Sequence, residues 1–297
     1  MSESTKGIKK ILFIINPISG SGKQKQIEVS IDKDLDKVQF IPEIVYTSGP
    51  GNATELTRKA VADGFDIVVA VGGDGTVNEV GQALVGTSTA LAIIPKGSGN
   101  GLARHLKIPF DIKKAIELIN NGHSQRIDTA TINDKVFLSV AGVGYDAFIA
   151  GKFAKAGTRG FITYFRIVTK EYPAYRPKKY IIEIDGKKII RRALLVTFAN
   201  SSQFGNNTSI DPKASVDDGL IDVCIVRRIP LLLVPFYVPF LFSKMFHKTH
   251  FVEIIKAQKV TVTSKKGRTV HFDGDPCKMG KKLEMKINPL SLNIIIP

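Results

Sequence analysis

The sequence predicts two domains, an open and mostly parallel α/β sheet followed by a β-sandwich, on three observations. In the first part of the chain, short apolar runs alternate with helical patterns, which is typical of a parallel sheet covered by helices. Beyond it, β patterns follow one another closely with hairpin-type turns. A chain of 297 residues is long enough to bury two cores. We therefore place the domains at residues 1–128 and 129–290.

The elements of the first domain follow from its periodicity. Apolar runs predict buried strands, and the amphipathic segments between them predict helices. The predicted strands are Lys10–Ile15, Gln39–Tyr46, Ile67–Val71 and Ala90–Ile94, and the predicted helices are Gln24–Leu35, Ala53–Asp63, Thr76–Val85 and Ile112–Asn120.

The second domain is mostly β. Its predicted strands are Thr129–Ile132, Lys135–Val140, Tyr180–Asp185, Lys188–Ala199, Gly219–Val226, Gln258–Thr263, Arg268–Asp273, Lys282–Ile287 and Leu292–Ile296. Asp185-Gly186 and Lys266-Gly267 predict hairpin turns. Two helices are predicted, at Ala150–Lys170 and around Pro235–Phe246.

Charge and hydropathy narrow the classes of function. The chain has 42 Lys and Arg against 27 Asp and Glu, a net charge of +15 that favours anionic partners: nucleic acid, an anionic membrane surface or phosphorylated ligands. The two cysteines have no metal-binding spacing. The most apolar window, Ile229–Phe242, is too short to span a bilayer and contains three prolines. No export signal is visible, so we expect a cytoplasmic protein.

The apolar run ending at Val71 breaks into Gly72-Gly73-Asp74-Gly75-Thr76 and then a helix. Glycines let backbone N–H groups approach an anion, and the helix directs its positive dipole end at the same point. An acid in a phosphate-binding turn suits Mg²⁺ bound to the phosphate, which indicates a metal–nucleotide site. The alternative is a tight turn in which Asp74 only caps the helix.

Two more loops resemble phosphate-binding turns. Asn16–Lys23 follows the first strand and is rich in small residues, but it lacks the Walker A spelling. Pro95–Arg104 is a second glycine-rich turn between a strand and a helix. Because such turns meet at the carboxyl edge of a parallel sheet, we expect them to lie together.

In order along the chain, these motifs resemble those of the diacylglycerol kinase and sphingosine kinase catalytic-domain family, close to the soluble bacterial lipid kinases. They are Asn16-Pro-x-Ser-Gly20, Val71-Gly-Gly-Asp-Gly-Thr76 with Asn78-Glu79, Gly97-Ser-Gly-Asn100, Asp217-Asp-Gly219 and Asp273-Gly-Asp275. The resemblance implies a nucleotide-binding domain, a β-sandwich domain for a lipid substrate, and an active site in the cleft between them. It also implies that a final strand, 291–297, can return to the first domain.

The resemblance further implies the site residues. ATP would be bound by Asn16, Pro17, Ser19, Gly20, Thr47, Gly72, Gly73, Gly75, Thr76, Asn78, Glu79, Ser98 and Asn100. The acids around the catalytic Mg²⁺ would be Asp74, Asp128, Asp273 and Asp275. A second, structural Mg²⁺ would be held by Asp218 with backbone oxygens of Ser215 and Leu220. Asp146 would meet the polar head of the lipid.

The proton acceptor is left open between Asp74 and the carboxyl-terminal pair. Bacterial members usually have Asp-Gly-Glu where this chain has Asp273-Gly274-Asp275, so its last carboxylate is one methylene shorter. If residues 273–275 are extended, both acids point to the same face and can converge on one hydroxyl. The five histidines, His105, His123, His247, His250 and His271, show no ligand spacing, and we expect no role for them.

Substrate and partners remain open on the sequence. Phe236–Phe242, followed by Lys244 and Lys248, suits the interface of an anionic membrane, or forms a core helix with a basic end. The acceptor is a lipid alcohol such as diacylglycerol, or a long-chain base. Less favoured are an NAD kinase-type enzyme and a non-enzymatic basic protein; no nucleic-acid module is visible. ATP and GTP are not distinguished, and a homodimer is compatible with the sequence.

Overall fold

The computed structural model describes residues 7–19, 24–97, 99–157, 160–205, 208–264 and 267–297. The chain divides into two compact units. The first comprises Met1–Ile127 with Ser291–Pro297, and the second comprises Asp128–Leu290. Each unit has a hydrophobic core of its own.

The first unit is a parallel sheet with helices. Its elements are β1 (Lys9–Ile15), α1 (Gln24–Asp34), β2 (Phe40–Tyr46), α2 (Asn52–Ala62), β3 (Ile67–Gly72), α3 (Asp74–Leu84), β4 (Ala90–Pro95), α4 (Gly101–His105) and α5 (Ile112–Asn121). The strands run in the order β2-β1-β3-β4, and the end of the last strand of the chain adds to β4 at Ile294. Strands β3 and β4 are buried throughout, which explains their uninterrupted apolar sequence.

The second unit is a β-sandwich with three helices. Its elements follow β5 (His123–Ile132): β6 (Lys135–Phe137), β7 (Val140–Gly144), α6 (Tyr145–Ala154), α7 (Phe161–Glu171), β8 (Lys178–Ile184), β9 (Lys187–Ala193), β10 (Leu195–Ala199), β11 (Gln203–Gly205), β12 (Thr208–Ser209), β13 (Ile221–Val226), α8 (Val234–Phe242), β14 (Val252–Ala257), β15 (Lys259–Thr263), β16 (Arg268–Phe272), β17 (Asp275–Met279) and β18 (Lys282–Ile296). One antiparallel sheet has the order β14-β13-β10-β7-β16-β17. It shares a core with β8, β15 and the first part of β18. The predicted architecture is confirmed.

Several predicted elements are wrong in their extent, and one of them, the strand at Lys135–Val140, is divided between β6 and β7. The helix expected at Ala150–Lys170 is two helices, α6 and α7, with Gly160 at a positive φ of 106° before the second. The strand expected at Lys188–Ala199 is two strands, because β9 pairs with β8 whereas β10 pairs with β7 and β13. The two strands expected at the carboxyl terminus are one continuous strand, β18. The predicted hairpin turn at Lys266-Gly267 includes Lys266, which lies outside the described residues.

The two ends of the second unit are tied together. Asp128 is fully buried, and its Oδ1 accepts a hydrogen bond from Leu290 N at 2.7 Å. Its Oδ2 accepts another from Gly219 N, also at 2.7 Å. Asn200 Nδ2 donates to the backbone oxygen of Asp128 at 2.9 Å. Asp128 therefore connects the start of this unit to its last residue and to the turn before β13.

Candidate active site

The two glycine-rich turns of the first unit pack against each other through their backbones. A Cβ placed on Gly97 would lie 2.6 Å from Gly73 Cα, and one on Gly73 would lie 3.4 Å from Gly97 Cα. No side chain fits at Gly97 without moving backbone. The turns expected to meet at the carboxyl edge of the sheet do meet, with Gly72 at the end of β3 and Lys96 just after β4.

Asp74 holds these turns together. Its Oδ2 accepts a hydrogen bond from Asn100 N and its Oδ1 accepts one from Gly101 N, both at 2.7 Å. The carboxylate therefore serves the start of α4, not of α3, in which Asp74 is the first residue. Asn100, at a positive φ of 48°, donates from Nδ2 to Gly72 O at 3.1 Å and closes the arrangement from the other side.

The start of α3 is well suited to an anion. Its N-cap residue, Gly73, has no side chain that could cap the first turn, and the backbone N–H groups of a first helical turn point toward the space before the helix. Gly75 lies in this turn. Thr76, one residue on, accepts a hydrogen bond from Asn16 Nδ2 at 3.1 Å, which links the turn to the loop after β1. In that loop Ser19 N donates to Asn16 O at 3.2 Å, across Pro17.

Other predicted nucleotide residues have structural partners. The Glu79 carboxylate accepts hydrogen bonds from Gly51 N at 2.8 Å and Ala53 N at 3.1 Å, and so fixes the start of α2. Thr47 N donates to Ile15 O at 2.9 Å, which places Thr47 beside the end of β1. Asn78 is buried in α3. Gly20 and Ser98 lie outside the described residues.

Asp273 is a buried carboxylate surrounded by backbone amides. Oδ1 accepts from Ser139 N at 2.8 Å and Val140 N at 3.0 Å, and Oδ2 accepts from Leu138 N at 2.8 Å. Only 8% of the residue is exposed. Three backbone amide donors therefore hold this carboxylate in place at the start of β7.

The extended conformation expected for residues 273–275 is wrong. Asp273 and Gly274 have positive φ of 47° and 92° and form the two-residue turn between β16 and β17. Such angles at both positions are those of a type I′ hairpin turn. Asp275 is the first residue of β17, pairs with Phe272 and is exposed. The alternation argument that aimed both acids at one face therefore fails.

Asp146 forms a buried cluster that the sequence did not indicate. Its Oδ2 lies 3.1 Å from His271 Nε2 and accepts from Thr197 Oγ1 at 3.0 Å, while Oδ1 accepts from Ala147 N at 2.7 Å. Thr197 and His271 flank Gly142 on neighbouring strands, β10 and β16. His271, to which the sequence assigned no role, thus has a specific partner in the fold. A separation of 125 residues between the two explains why spacing could not reveal it.

The carboxylates near the predicted structural Mg²⁺ site already have partners within the protein. Asp218 Oδ2 lies 2.7 Å from Lys256 Nζ, and its Oδ1 accepts from Leu220 N at 3.1 Å. Ser215 donates to the neighbouring Asp217. An ammonium group thus stands where a cation was expected, and Asp218 is paired with Lys256. Among the residues that the structure describes, no cluster of three or more His, Cys, Asp or Glu side chains could hold a metal ion.

Asp222 is the buried acid of this region without amide donors to its carboxylate in the described chain. Burial raises the pKa of Asp222 to about 6, and the Asp211 carboxylate adds to the rise. Lys256 Nζ, 3.3 Å from Asp222 Oδ1, opposes it. Asp222 and Asp273 are therefore both buried, and they differ in the backbone hydrogen bonds that their carboxylates accept.

In the described parts of the chain, no helix is both long and apolar enough to cross a membrane.

Two family models match the chain. The one described as the diacylglycerol kinase catalytic domain matches residues 10–132. The one described as the YegS C-terminal NAD kinase beta sandwich-like domain matches residues 139–296.

Relatives and solved structures agree with these matches. A diacylglycerol kinase of Bacillus subtilis (strain 168) is 30% identical over 230 residues, covering 74% of this chain and 75% of that protein. A diacylglycerol kinase of Mycobacterium tuberculosis (strain ATCC 25618 / H37Rv) is 29% identical and covers 98% of this chain and 96% of its own. A crystal structure from Bacillus anthracis str. Sterne superposes with a TM-score of 0.82 at 22% identity, over 100% of this chain and 98% of the other, and so supports the fold. The chain therefore belongs to the family of diacylglycerol kinase catalytic domains and is a lipid kinase.

Proposed function

We propose that this lipid kinase transfers the γ-phosphate of ATP, with Mg²⁺, to the hydroxyl group of a lipid alcohol, with diacylglycerol as the first candidate and a carboxylate as proton acceptor. The observation that carries the proposal is the pair of glycine turns held together by Asp74. Phosphoryl transfer requires phosphates to be positioned and their charge to be neutralised, and little covalent chemistry from the protein.

The first unit has features that suit the binding of a nucleoside triphosphate. The start of α3 offers backbone N–H groups and the positive end of a helix dipole beside turns that contain little side-chain bulk. The hydrogen bond from Asn16 to Thr76 and the two bonds of Glu79 hold the neighbouring loops in place. In this proposal, these residues position the phosphates and Thr47 lies beside the nucleotide.

The residues also fit Mg²⁺ bound through the nucleotide. Mg²⁺ is usually held by one or two carboxylates together with phosphate oxygens and water, not by a cage of protein ligands. Asp74 is such a carboxylate: it is partly exposed and is the first residue of α3, beside the backbone N–H groups proposed to bind the phosphates. When bound, Mg²⁺ neutralises charge on the phosphates. Asp74 would hold it in a fixed position.

Of the carboxyl-terminal acids, we propose Asp275 as the proton acceptor. Asp273 is bound by three amides and maintains the hairpin, whereas Asp275 is exposed at the start of β17. Asp74 remains the competing candidate. Asp146 is proposed on the substrate side, where it would meet the polar head of the lipid.

We further propose that the second unit contacts an anionic membrane surface. Helices α7 and α8 meet through Phe161 and Phe242, whose ring centroids are 6.4 Å apart. The apolar side chains exposed around them include Leu232, 86% exposed, and Phe236, 70% exposed. The exposed residues Lys244 and Lys248 follow α8.

Helix α8 has one face on the core and one face exposed. Val234, Tyr237 and Leu241 pack against the core, while the opposite face of α8 is exposed. An apolar patch flanked by cations is characteristic of proteins that bind at a membrane interface. Because the reaction uses ATP, we place the enzyme in the cytoplasm.

A transfer assay tests the proposed function. The full chain is incubated with γ-labelled ATP and Mg²⁺, and with diacylglycerol, a long-chain base or NAD in parallel. We expect label in the diacylglycerol product. Label in the long-chain base alone would make the enzyme a sphingoid-base kinase, and formation of NADP without any labelled lipid would refute the proposal.

A further inference from the structure

Four buried polar atoms without a hydrogen-bond partner surround the Asp146 cluster in the described chain. They are Tyr175 Oη, Tyr180 Oη, Arg268 Nε and His271 Nδ1. The Arg268 guanidinium lies over the Tyr180 ring, 5.0 Å from its centroid, and the charges of Asp146 and Arg268 act on both tyrosines. A buried donor or acceptor without a partner destabilises the fold. Four in one region indicate a site for a polar group.

Strand β7 has glycines, Gly142 and Gly144, where it borders this region. A Cβ on Gly144 would lie 3.0 Å from Tyr180 Oη, and one on Gly142 would lie 2.2 Å from Asp146 Oδ2. Both positions therefore exclude any residue larger than glycine while the polar side chains stay where they are.

The charges of the cluster disfavour a cationic ligand such as an amine. Arg268 and Lys178, whose Nζ lies 5.2 Å from the Tyr175 ring centroid, add two positive charges beside the single carboxylate of Asp146. Asp146 already interacts with Ala147 N, Thr197 Oγ1 and His271 Nε2, so its carboxylate is engaged and offers little to an amine. A phosphate, in turn, would be repelled by Asp146.

The unpaired atoms are mostly donors. Burial raises the pKa of Tyr175 to about 12 and also raises that of Tyr180, so both hydroxyl groups stay protonated. With Arg268 Nε–H they make three donors. His271 Nδ1 is an acceptor when Nε2 carries its proton toward Asp146. This set matches an uncharged group that has more acceptor than donor positions, which is the composition of a glycerol ester.

We propose that Tyr175, Tyr180 and Arg268 bind an ester carbonyl oxygen of the acceptor lipid, and so select an acylglycerol over a long-chain base. The inference deepens the proposed function, because it rests on the acceptor being a lipid. Positions of this kind determine specificity, since a missing carbonyl leaves buried donors unpaired.

The test compares two lipids on one double variant of the full chain. The variant is Tyr175→Phe with Tyr180→Phe, which removes two hydroxyl groups and little volume. The lipids are dioctanoylglycerol and dioctyl ether glycerol in the same mixed micelles; the ether keeps the acceptor hydroxyl but lacks carbonyl groups. We expect the KM of the variant for the ester to rise about tenfold, the scale of a lost hydrogen bond, with no change for the ether.

The control is Tyr145→Phe. The Tyr145 hydroxyl donates to Val168 O, so its loss should lower the melting temperature without changing the ratio of KM values for ester and ether. Equal losses for both lipids in the double variant, or no loss for either, would overturn the proposal. So would a lower melting temperature with an unchanged KM, because the hydroxyl groups would then serve the fold.

A binding measurement separates this inference from the proposed function. Without nucleotide, dioctanoylglycerol should raise the melting temperature of the unmodified protein more than that of the double variant, and the ether should not distinguish them. That result supports the site even if no lipid is phosphorylated. Equal shifts for the two proteins with the ester overturn the site whatever the assay of transfer shows.

Discussion

Asp74 of the first unit and Asp273 of the second unit have similar sequence surroundings, because each stands beside a glycine just after the end of a strand. In the structure, both carboxylates accept backbone hydrogen bonds. Asp74 accepts two, from the turn that follows the next strand, and is partly exposed. Asp273 accepts three, from the loop before β7, and is 8% exposed.

The difference shows how to separate acids of the fold from acids of the reaction. A carboxylate that is buried among backbone amides is expensive to remove, because its loss leaves those donors unpaired. One that holds a turn while partly exposed can also be reached by a metal ion or a substrate. We therefore expect Asp74 to affect turnover first, and Asp273 to affect stability first.

The largest effect is expected for Asp74→Asn. Removing the charge that would hold Mg²⁺ should reduce kcat by a factor of roughly 10³, with the fold retained. A transfer assay and a thermal melt measure the two quantities on one preparation. Asp66→Asn is the matched control, because Asp66 also accepts a backbone hydrogen bond, from Lys10 N, yet lies outside the glycine turns. Near-normal turnover in a folded Asp74→Asn protein would contradict the assignment.

Asp273→Asn should lower the free energy of unfolding by about 3 kcal/mol, because an amide group would face backbone N–H donors in place of a charged acceptor. Urea denaturation measures it. Asp185→Asn provides the control: Asp185 occupies the same kind of turn, accepts from Lys259 N at 2.9 Å, and is exposed. We expect it to cost less than about 1 kcal/mol. Equal losses in the two variants would remove the distinction drawn above.

Asp275→Asn should reduce turnover by a factor of roughly 10², the usual scale for a general base. Asp275→Glu, which restores the longer side chain usual in bacterial relatives, should keep or raise activity. Both are measured as kcat in the transfer assay. If Asp275→Asn turns over normally and only Asp74→Asn is inactive, the proton acceptor lies in the first unit.

The smallest effect concerns Asp222, which is buried like Asp273 but has no amide donors to its carboxylate in the described chain. Its pKa of about 6 in the folded protein exceeds the usual 3.8, so the folded state binds the proton more tightly than the unfolded state. Stability from this group is present below about pH 4 and is lost as the pH rises toward 6. The loss should be about 2 kcal/mol. Denaturation at pH 4 and pH 7 measures it, and Asp222→Asn should abolish the difference; an unchanged pH dependence would contradict the role of Asp222.

Much of the fold could be predicted because it depends on local patterns. The apolar runs at Ile11–Ile15 and Ile67–Val71 are buried on both faces, and no other element satisfies such a sequence in an alternating α/β pattern. The glycines of the two turns also indicated, from the local sequence alone, that a strand ends there and a helix begins. Where one strand follows another directly, as β10 follows β9 at Leu194, the sequence could not show that the chain passes from one sheet to another.

The candidate site was less accessible because its contacts are distant in sequence. Nothing near His271 indicates Asp146, and nothing near Asp74 indicates the amide of Asn100. The turn at Asp273-Gly274 could have been predicted, since Asp-Gly between two strands favours a type I′ turn, as it does at Asp185-Gly186. The family motif specifies the carboxylates, but it does not specify the backbone conformation of the turn that contains them.

The hydrogen bond between Asp128 and Leu290 has a consequence for protein engineering. The two ends of the second unit are in contact, and Arg126 and Asn293 are likewise hydrogen-bonded within the first unit, at 3.3 Å. A segment with adjoining ends can be inserted into, or removed from, a host without stretching either chain. Residues 128–290 can therefore be exchanged for the matching segment of a relative, or reopened elsewhere as a circular permutant, while a short linker closes the first unit.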